Sequence, residues 1–95
     1  MPDPHLTGDD VIEILGLEPL PDEGGMFRRA WGSDYGSAIY FLLRPNDFSA
    51  FHRLTGPELW HYYGGDPARL ILISEAGELA RLTLGMDLRA GERPL

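Results

Sequence analysis

The pattern of apolar and polar positions predicts one helix at the start of the chain. Thr7 is a suitable N-cap, and Asp9 and Asp10 follow in the first turn, where the helix dipole favours negative charge. The apolar residues that come next recur at roughly helical spacing. Gly16 is a typical C-terminal stop signal. We therefore predict a short helix over residues 8–15.

The rest of the chain has the pattern of short β-strands divided by glycine, proline and aspartate. Two prolines and two adjacent glycines within residues 18–25 exclude a regular element there. The predicted strands cover residues 26–31, 37–43, 49–54, 58–63, 70–73 and 79–84, with hairpin turns at 55–57 and 75–78. This spacing is typical of an all-β sandwich or barrel, so the sequence predicts a single all-β domain over residues 1–95 with one short N-terminal helix.

Length and charge narrow the classes of function. The 95 residues suffice for one domain with a modest core. A net charge of −7, spread along the chain, argues against nucleic acid and anionic membranes as partners. The absence of cysteine excludes disulfides and thiolate chemistry. Residues 1–6 are expected to form a loose arm and lack the pattern of a signal peptide. No apolar run is long enough to span a bilayer, so we expect a soluble, cytoplasmic protein.

The stretch 51–65 is the densest in polar and aromatic residues. On a strand, Glu58, Trp60 and Tyr62 share one face, and a carboxylate beside two aromatic rings is typical of a ligand pocket. A shift of one residue in register would turn the same side chains to water. His52 lies across the predicted turn from Glu58. Histidine with a carboxylate forms an acid–base pair or part of a metal site, and the alternative is a surface histidine.

The side chains of Tyr40 and Arg28 complete the candidate site. Tyr62 and Tyr40 could donate a proton, although aromatic residues in strands more often pack across strands. Arg28 could bind an anionic group of a substrate, and the alternative is an exposed arginine.

No phosphate-binding loop, dinucleotide fingerprint, serine-hydrolase elbow or zinc-protease motif occurs. The candidate catalytic residues are His52 and Tyr62, and the candidate ligand-binding residues are Glu58, Trp60, Arg28 and Tyr40.

These residues resemble the first motif of the cupin superfamily. That motif has two histidines, a glutamate and two flanking glycines at characteristic spacing. Here His52 matches the first histidine, Glu58 the acid and Gly65 the closing glycine. Asn46 and Leu54 occupy the positions of the first glycine and the second histidine.

A closer resemblance is to the uncharacterised fifth cupin family. Its members share a proline-rich loop that ends in Glu-Gly-Gly, a Ser-x-Ile-Tyr-Phe-Leu-Leu strand, an aromatic residue before His-Arg, a Glu-x-Trp-His block, and Gly-Glu-Arg-Pro. In this chain the blocks lie at residues 21–28, 37–43, 51–53, 58–67 and 91–94. They are in the family's order and cover almost the whole chain.

The resemblance implies a cupin-type jelly-roll barrel or sandwich whose interior face carries His52, Glu58, Trp60 and Tyr62. Family members continue past residues 91–94 into a second motif, so the barrel is expected to be incomplete or open. Only His52 and Glu58 carry over as metal ligands, fewer than a catalytic divalent ion needs. Because open edges favour self-association, we expect a homodimer. Light scattering that gives a well-folded monomer would contradict it.

Several functions are compatible with this interpretation. The leading one is a small-molecule-binding domain of unknown substrate. A metal-free sugar epimerase or isomerase would use His52 as base and Tyr62 as acid, and would tolerate chelators. A metal-dependent oxygenase would lose its activity when a chelator removes the metal. A structural or interaction barrel would bind no small ligand, because fold does not fix function.

Overall fold

The helix forms where the sequence predicts it. The computed structural model describes residues 6–54 and 56–95, so most of the predicted N-terminal arm lies outside the described residues. Helix α1 spans Gly8–Leu15. The Thr7 hydroxyl accepts a hydrogen bond from the Asp10 amide, and the Asp10 carboxylate accepts one from the Thr7 amide, each at 3.1 Å. This capping box and the left-handed Gly16, with φ of 67°, define the two ends of the helix.

Three antiparallel strands follow in the order β1-β2-β3. Strand β1 is Glu18–Pro19, β2 is Met26–Ser33 and β3 is Gly36–Leu42. Strands β2 and β3 confirm the predicted pair, with bounds that differ by one or two residues. Strand β1 corrects the prediction that residues 18–25 contain no regular element. It is only two residues long and lies at the sheet edge, where a proline removes no central ladder bond.

A β-bulge changes which side chains share a face of this sheet. Arg28 pairs with Tyr40, and the register shifts between Arg29 and Trp31. The extra residue, Ala30, turns Trp31 onto the face that carries Arg28 and Tyr40, whereas a regular strand would place it on the face of Arg29.

A second sheet consists of one hairpin, with β4 over Ala68–Ile73 and β5 over Leu79–Leu84. The predicted strands and turn are confirmed here. The Ser74 amide donates to the Glu78 carbonyl at 2.9 Å, and Gly77 supplies the positive φ of the turn. The chain then forms a short 3₁₀ helix over Leu88–Ala90 and returns beside β5 in a parallel bridge between Leu84 and Arg93.

Two predicted strands do not form. Residues 49–54 and 58–63 have no strand assignment in the described part of the chain, and the predicted turn between them includes Thr55, which lies outside the described residues. Each segment is held by isolated backbone bonds, from the Ala50 amide to the Glu23 carbonyl and from the Tyr62 amide to the Pro94 carbonyl. Aromatic and branched side chains favour extended backbone, but a strand also needs a continuous ladder to a partner.

The chain divides into two compact units, one ending at Arg53 and the other beginning at Leu54. The apolar side chains that are buried are Leu17 and Met26 in the first unit and Leu84 in the second, counting only the described residues. The sheets are antiparallel and open, and no closed barrel forms among the described residues. An all-β fold with one short helix, consistent with the cupin type, is thus confirmed.

Candidate functional site

In the first unit, a histidine and a glutamate from two separate loops lie close together. The His52 Nε2 atom is 3.8 Å from the Glu23 Oε1 atom. Both side chains are partly open to solvent, with exposed fractions of 31% and 39%. A molecule that reaches this surface can therefore contact both groups.

The backbone around Glu23 explains why the two loops meet. The Glu23 carbonyl accepts a hydrogen bond of 2.7 Å from the Ala50 amide, two residues before His52. Gly24 and Gly25 have φ of 95° and 80°, a region that L-residues with side chains rarely adopt. A Cβ atom at Gly24 would clash with the Phe48 carbonyl oxygen. The two glycines thus permit the close approach that carries Glu23 to the His52 segment.

A compact turn precedes the His52 segment. The Asp47 carboxylate accepts hydrogen bonds from the Arg44 amide at 3.0 Å and from the Arg44 guanidinium at 2.8 Å. The hydrogen bond from the guanidinium lowers the pKa of Asp47 below its usual value, and the backbone bond and the positive charge act in the same direction. The turn is thereby fixed at the end of β3.

The orientation of the His52 ring assigns different roles to its two nitrogens. Nδ1 is 2.8 Å from the Ala50 carbonyl oxygen. A carbonyl only accepts, so Nδ1 carries a proton in this arrangement. Nε2 is then the nitrogen that can gain or lose a proton, and it faces the Glu23 carboxylate.

The gap between the two side chains suits a ligand. At 3.8 Å, Nε2 and Oε1 are too far apart for a direct hydrogen bond. A hydroxyl group or a water molecule to one side of the pair could be within hydrogen-bond distance of both atoms. The arrangement can therefore bind a polar group, and an imidazole nitrogen beside a carboxylate can exchange a proton with it.

Glu58 and Trp60 lie in the second unit and contact each other. The Trp60 indole Nε1 donates a hydrogen bond of 3.0 Å to Glu58 Oε1. Trp60 and Tyr62 are partly buried, whereas Leu59 and Tyr63 are 77% and 74% exposed. Glu58 itself is exposed, so the predicted common face of Glu58, Trp60 and Tyr62 stays a prediction. The predicted approach of His52 to Glu58 stays a prediction.

Tyr62 has a local partner for its phenol. Its hydroxyl donates to the Gly65 carbonyl, and its amide donates to the Pro94 carbonyl at 2.8 Å. A phenol that donates to a backbone carbonyl holds its proton there until a substrate competes for it. The assignment of Tyr62 as a catalytic acid stays a prediction.

Arg28 and Tyr40 lie opposite each other in the first sheet. Arg28 donates a hydrogen bond of 3.2 Å to the Leu15 carbonyl at the end of α1, where a cation favours the helix dipole. Its guanidinium thus has a structural role that the sequence did not predict. Tyr40 is 37% exposed beside the half-exposed ring of Trp31, so both aromatic surfaces can be reached by a ligand. Their part in ligand binding stays a prediction.

Among the described residues, the side chains that could hold a metal ion do not gather into a site. No group of three or more histidine, aspartate and glutamate side chains with suitable geometry exists within the described ranges 6–54 and 56–95. At His52, Nδ1 contacts the Ala50 carbonyl and Nε2 faces the Glu23 carboxylate. A catalytic divalent ion normally takes three or more protein ligands, so these residues do not fit one.

Sequence reasoning missed Glu23 as a partner of His52. The two residues are far apart along the chain, and neither periodicity nor a motif links them. The available signal was the Glu-Gly-Gly block, because adjacent glycines after an acidic residue permit a close backbone approach. The sequence pattern alone indicates only a loop and a block of the family resemblance at this position.

Comparisons with known proteins agree with the fold. A sequence model of the family described as Cupin superfamily (DUF985) matches residues 9–95. The crystal structure of protein SO0799 from Shewanella oneidensis is similar, with 42% sequence identity and a TM-score of 0.87. The alignment covers 94% of this chain and 61% of that one, so this chain spans less than two thirds of its relative. No curated protein matches.

The structure contains no helix, within the described residues, that is long and apolar enough to cross a membrane. The cytoplasmic location and the homodimer stay predictions.

The family match extends over most of the chain and includes the blocks that contain Glu23, His52 and Glu58. Sequence, sheet arrangement and structural similarity therefore agree, and the chain belongs to the cupin superfamily, in the family designated DUF985.

Proposed function

We propose that this cupin domain binds a small polar molecule at the Glu23–His52 pair and exchanges a proton with it through His52 Nε2. The observation that carries the proposal is the geometry of His52. One ring nitrogen is 2.8 Å from a carbonyl oxygen, and the other is 3.8 Å from a carboxylate oxygen, so a hydroxyl beside the pair can contact both. Cupin membership supports a small-molecule ligand.

The same geometry favours metal-free chemistry among the enzyme alternatives. An epimerase or isomerase needs a base that removes a proton and an acid that returns one. His52 Nε2 serves as the base, and Glu23 is a second proton-accepting group beside it. Tyr62, the acid predicted from the sequence, belongs to the second unit, and that assignment stays a prediction. The substrate class that suits these groups is a small polyhydroxylated molecule, because hydroxyl groups can both donate and accept at this pair.

The test is a ligand screen by NMR on the ¹⁵N-labelled chain. A panel of neutral sugars, sugar phosphates and small hydroxy acids is added, and amide and imidazole shifts are followed. We expect at least one compound to shift His52, Glu23 and Ala50 in a saturable manner. His52→Ala and Glu23→Gln should each weaken binding about tenfold or more, because a hydrogen bond to a charged group contributes about 1.5–3 kcal/mol.

Matched controls are available in the same chain. His61→Ala removes an exposed histidine, and Glu13→Gln removes an exposed carboxylate on α1. Both should bind the same compound as tightly as the unchanged chain. If no compound binds, or if the control variants weaken binding as much as His52→Ala, the domain is better explained as a scaffold.

A further inference from the structure

One face of the β4–β5 hairpin carries two arginines close together. Arg69 pairs with Thr83, and Ile71 pairs with Arg81, so the four side chains share a face, which we call the basic face. The two arginines are diagonal neighbours, which places their side-chain origins about 7–8 Å apart or slightly less. Long guanidinium side chains can converge on one point from that distance.

The opposite face of the hairpin is wholly apolar, which makes the basic face distinct. Its side chains are those of Ala68, Leu70, Leu72, Ala80, Leu82 and Leu84. No acidic residue lies within either strand. Fifteen acidic residues occur in the chain against eight basic ones, all of which are arginine. Positive charge concentrated on one hairpin face is therefore unusual in this molecule.

The two guanidinium groups have no protein partner within the described residues of the second unit. Other arginines do have one: Arg28 donates to the Leu15 carbonyl, Arg44 binds Asp47, and Arg93 donates to the Leu88 carbonyl. Arg69 and Arg81 make no hydrogen bond or ion pair with the other described residues of their own unit, 56–95. Their donors are free for a ligand.

A depression of about 330 Å³ lies against this part of the hairpin. Its lining consists of Arg69, Ile71, Arg81 and Thr83 from the basic face, together with Leu70 and Leu82, whose side chains belong to the opposite face. The arginines supply forked donors, and the Thr83 hydroxyl can both donate and accept. Ile71 adds apolar surface between them. Charged donors around an apolar patch suit an organic molecule with one negatively charged end.

We infer that the basic face binds the oxyanion group of a small organic anion, a carboxylate or a phosphate monoester. Guanidinium groups match both groups in geometry and bind them through paired hydrogen bonds. The inference goes beyond the Glu23–His52 proposal, since no residue is shared between them. Either proposal can fail while the other stands.

The test uses the full chain and two simple probes, inorganic phosphate and acetate. Each is titrated into the ¹⁵N-labelled protein at constant ionic strength, with sodium chloride as the balancing salt, and the arginine Nε and Thr83 amide signals are followed. We expect saturable shifts at Arg69, Arg81 and Thr83 with at least one probe. The probe that binds more tightly identifies the class of ligand.

Three variants sharpen the result. Arg69→Gln and Arg81→Gln should each weaken binding at least fivefold, and Arg89→Gln, in the short 3₁₀ helix, should leave it unchanged. Thermal melting of each variant shows whether it is folded, and Thr83→Val provides a second test if an arginine variant is not. The inference would be overturned if the shifts were linear in probe concentration or equal to those of Arg89. It would also be overturned if the shifts persisted in both arginine variants. No shift at all would do the same.

Discussion

Replacing Gly24 with alanine is expected to destabilise the first unit strongly. Gly24 has φ of 95°, and holding an alanine there costs about 1–3 kcal/mol in backbone strain. The new Cβ would also meet the Phe48 carbonyl oxygen, and overpacking of this kind costs a further ~1–3 kcal/mol. Backbone oxygen cannot move aside as a flexible side chain can. Urea unfolding followed by circular dichroism measures the effect.

Alanine substitutions at two other glycines distinguish the effect of backbone strain from that of a steric clash. Gly77 has φ of 82° with open space around its Cβ position, so Gly77→Ala tests strain alone. Gly36 has neither positive φ nor a neighbour within 4 Å, so Gly36→Ala should be neutral or slightly stabilising. The expected order of destabilisation is Gly24, then Gly77, then Gly36. If Gly24→Ala unfolds at the same urea concentration as Gly36→Ala, the inference that the two loops approach closely at Gly24 is contradicted.

The Gly24 substitution should also disturb the candidate site. The clash forces the Glu23 loop away from the Phe48 segment, which lengthens the hydrogen bond between the Ala50 amide and the Glu23 carbonyl. The carboxylate then moves relative to His52. We expect faster hydrogen exchange of the Ala50 amide in this variant, and unchanged exchange there in Gly77→Ala.

Replacing Leu17 with alanine is expected to have the second large effect. Leu17 is only 7% exposed and belongs to a small set of buried apolar side chains. Truncating a buried leucine costs about 2–5 kcal/mol through lost burial and the cavity that remains. A domain of this size is stable by only about 5–15 kcal/mol, so this loss is a large fraction of the total. Thermal or urea unfolding measures it.

Ile14 provides the matched comparison for Leu17. It lies three residues earlier in the chain, on α1, and is 69% exposed. Ile14→Ala removes little buried surface and introduces a better helix former, so its stability should change by only about 0.5 kcal/mol. Equal destabilisation by the two substitutions would show that Leu17 is not part of the core.

Local signals were sufficient to predict much of the fold. The cap at Thr7 and the glycine at position 16 define α1 because each satisfies backbone groups within a few residues. Strands β4 and β5 were also predictable, since both are apolar and the turn between them brings them together directly. These elements depend on interactions that are short in sequence.

The remaining elements depend on partners that are distant in sequence. Residues 49–54 and 58–63 have the composition of strands, but the described residues show isolated backbone bonds to remote residues there and no continuous ladder. The edge pairing of Glu18–Pro19 with β2 is set by the intervening loop and not by local propensity. The same limit applies to the site. His52 was predictable as a chemically active residue, whereas its partner Glu23 is set by the approach of two loops.

The measurement that tests the central claim most directly is the position of the proton on neutral His52. Long-range ¹H–¹⁵N correlation spectra of the imidazole rings, recorded across a pH titration, report which nitrogen carries it. The geometry predicts the Nδ1–H form for His52, because Nδ1 lies 2.8 Å from the Ala50 carbonyl, and it predicts no such restriction for the exposed ring of His61. A proton on Nε2 of His52, or signals from both rings that are alike, would contradict the proposed site.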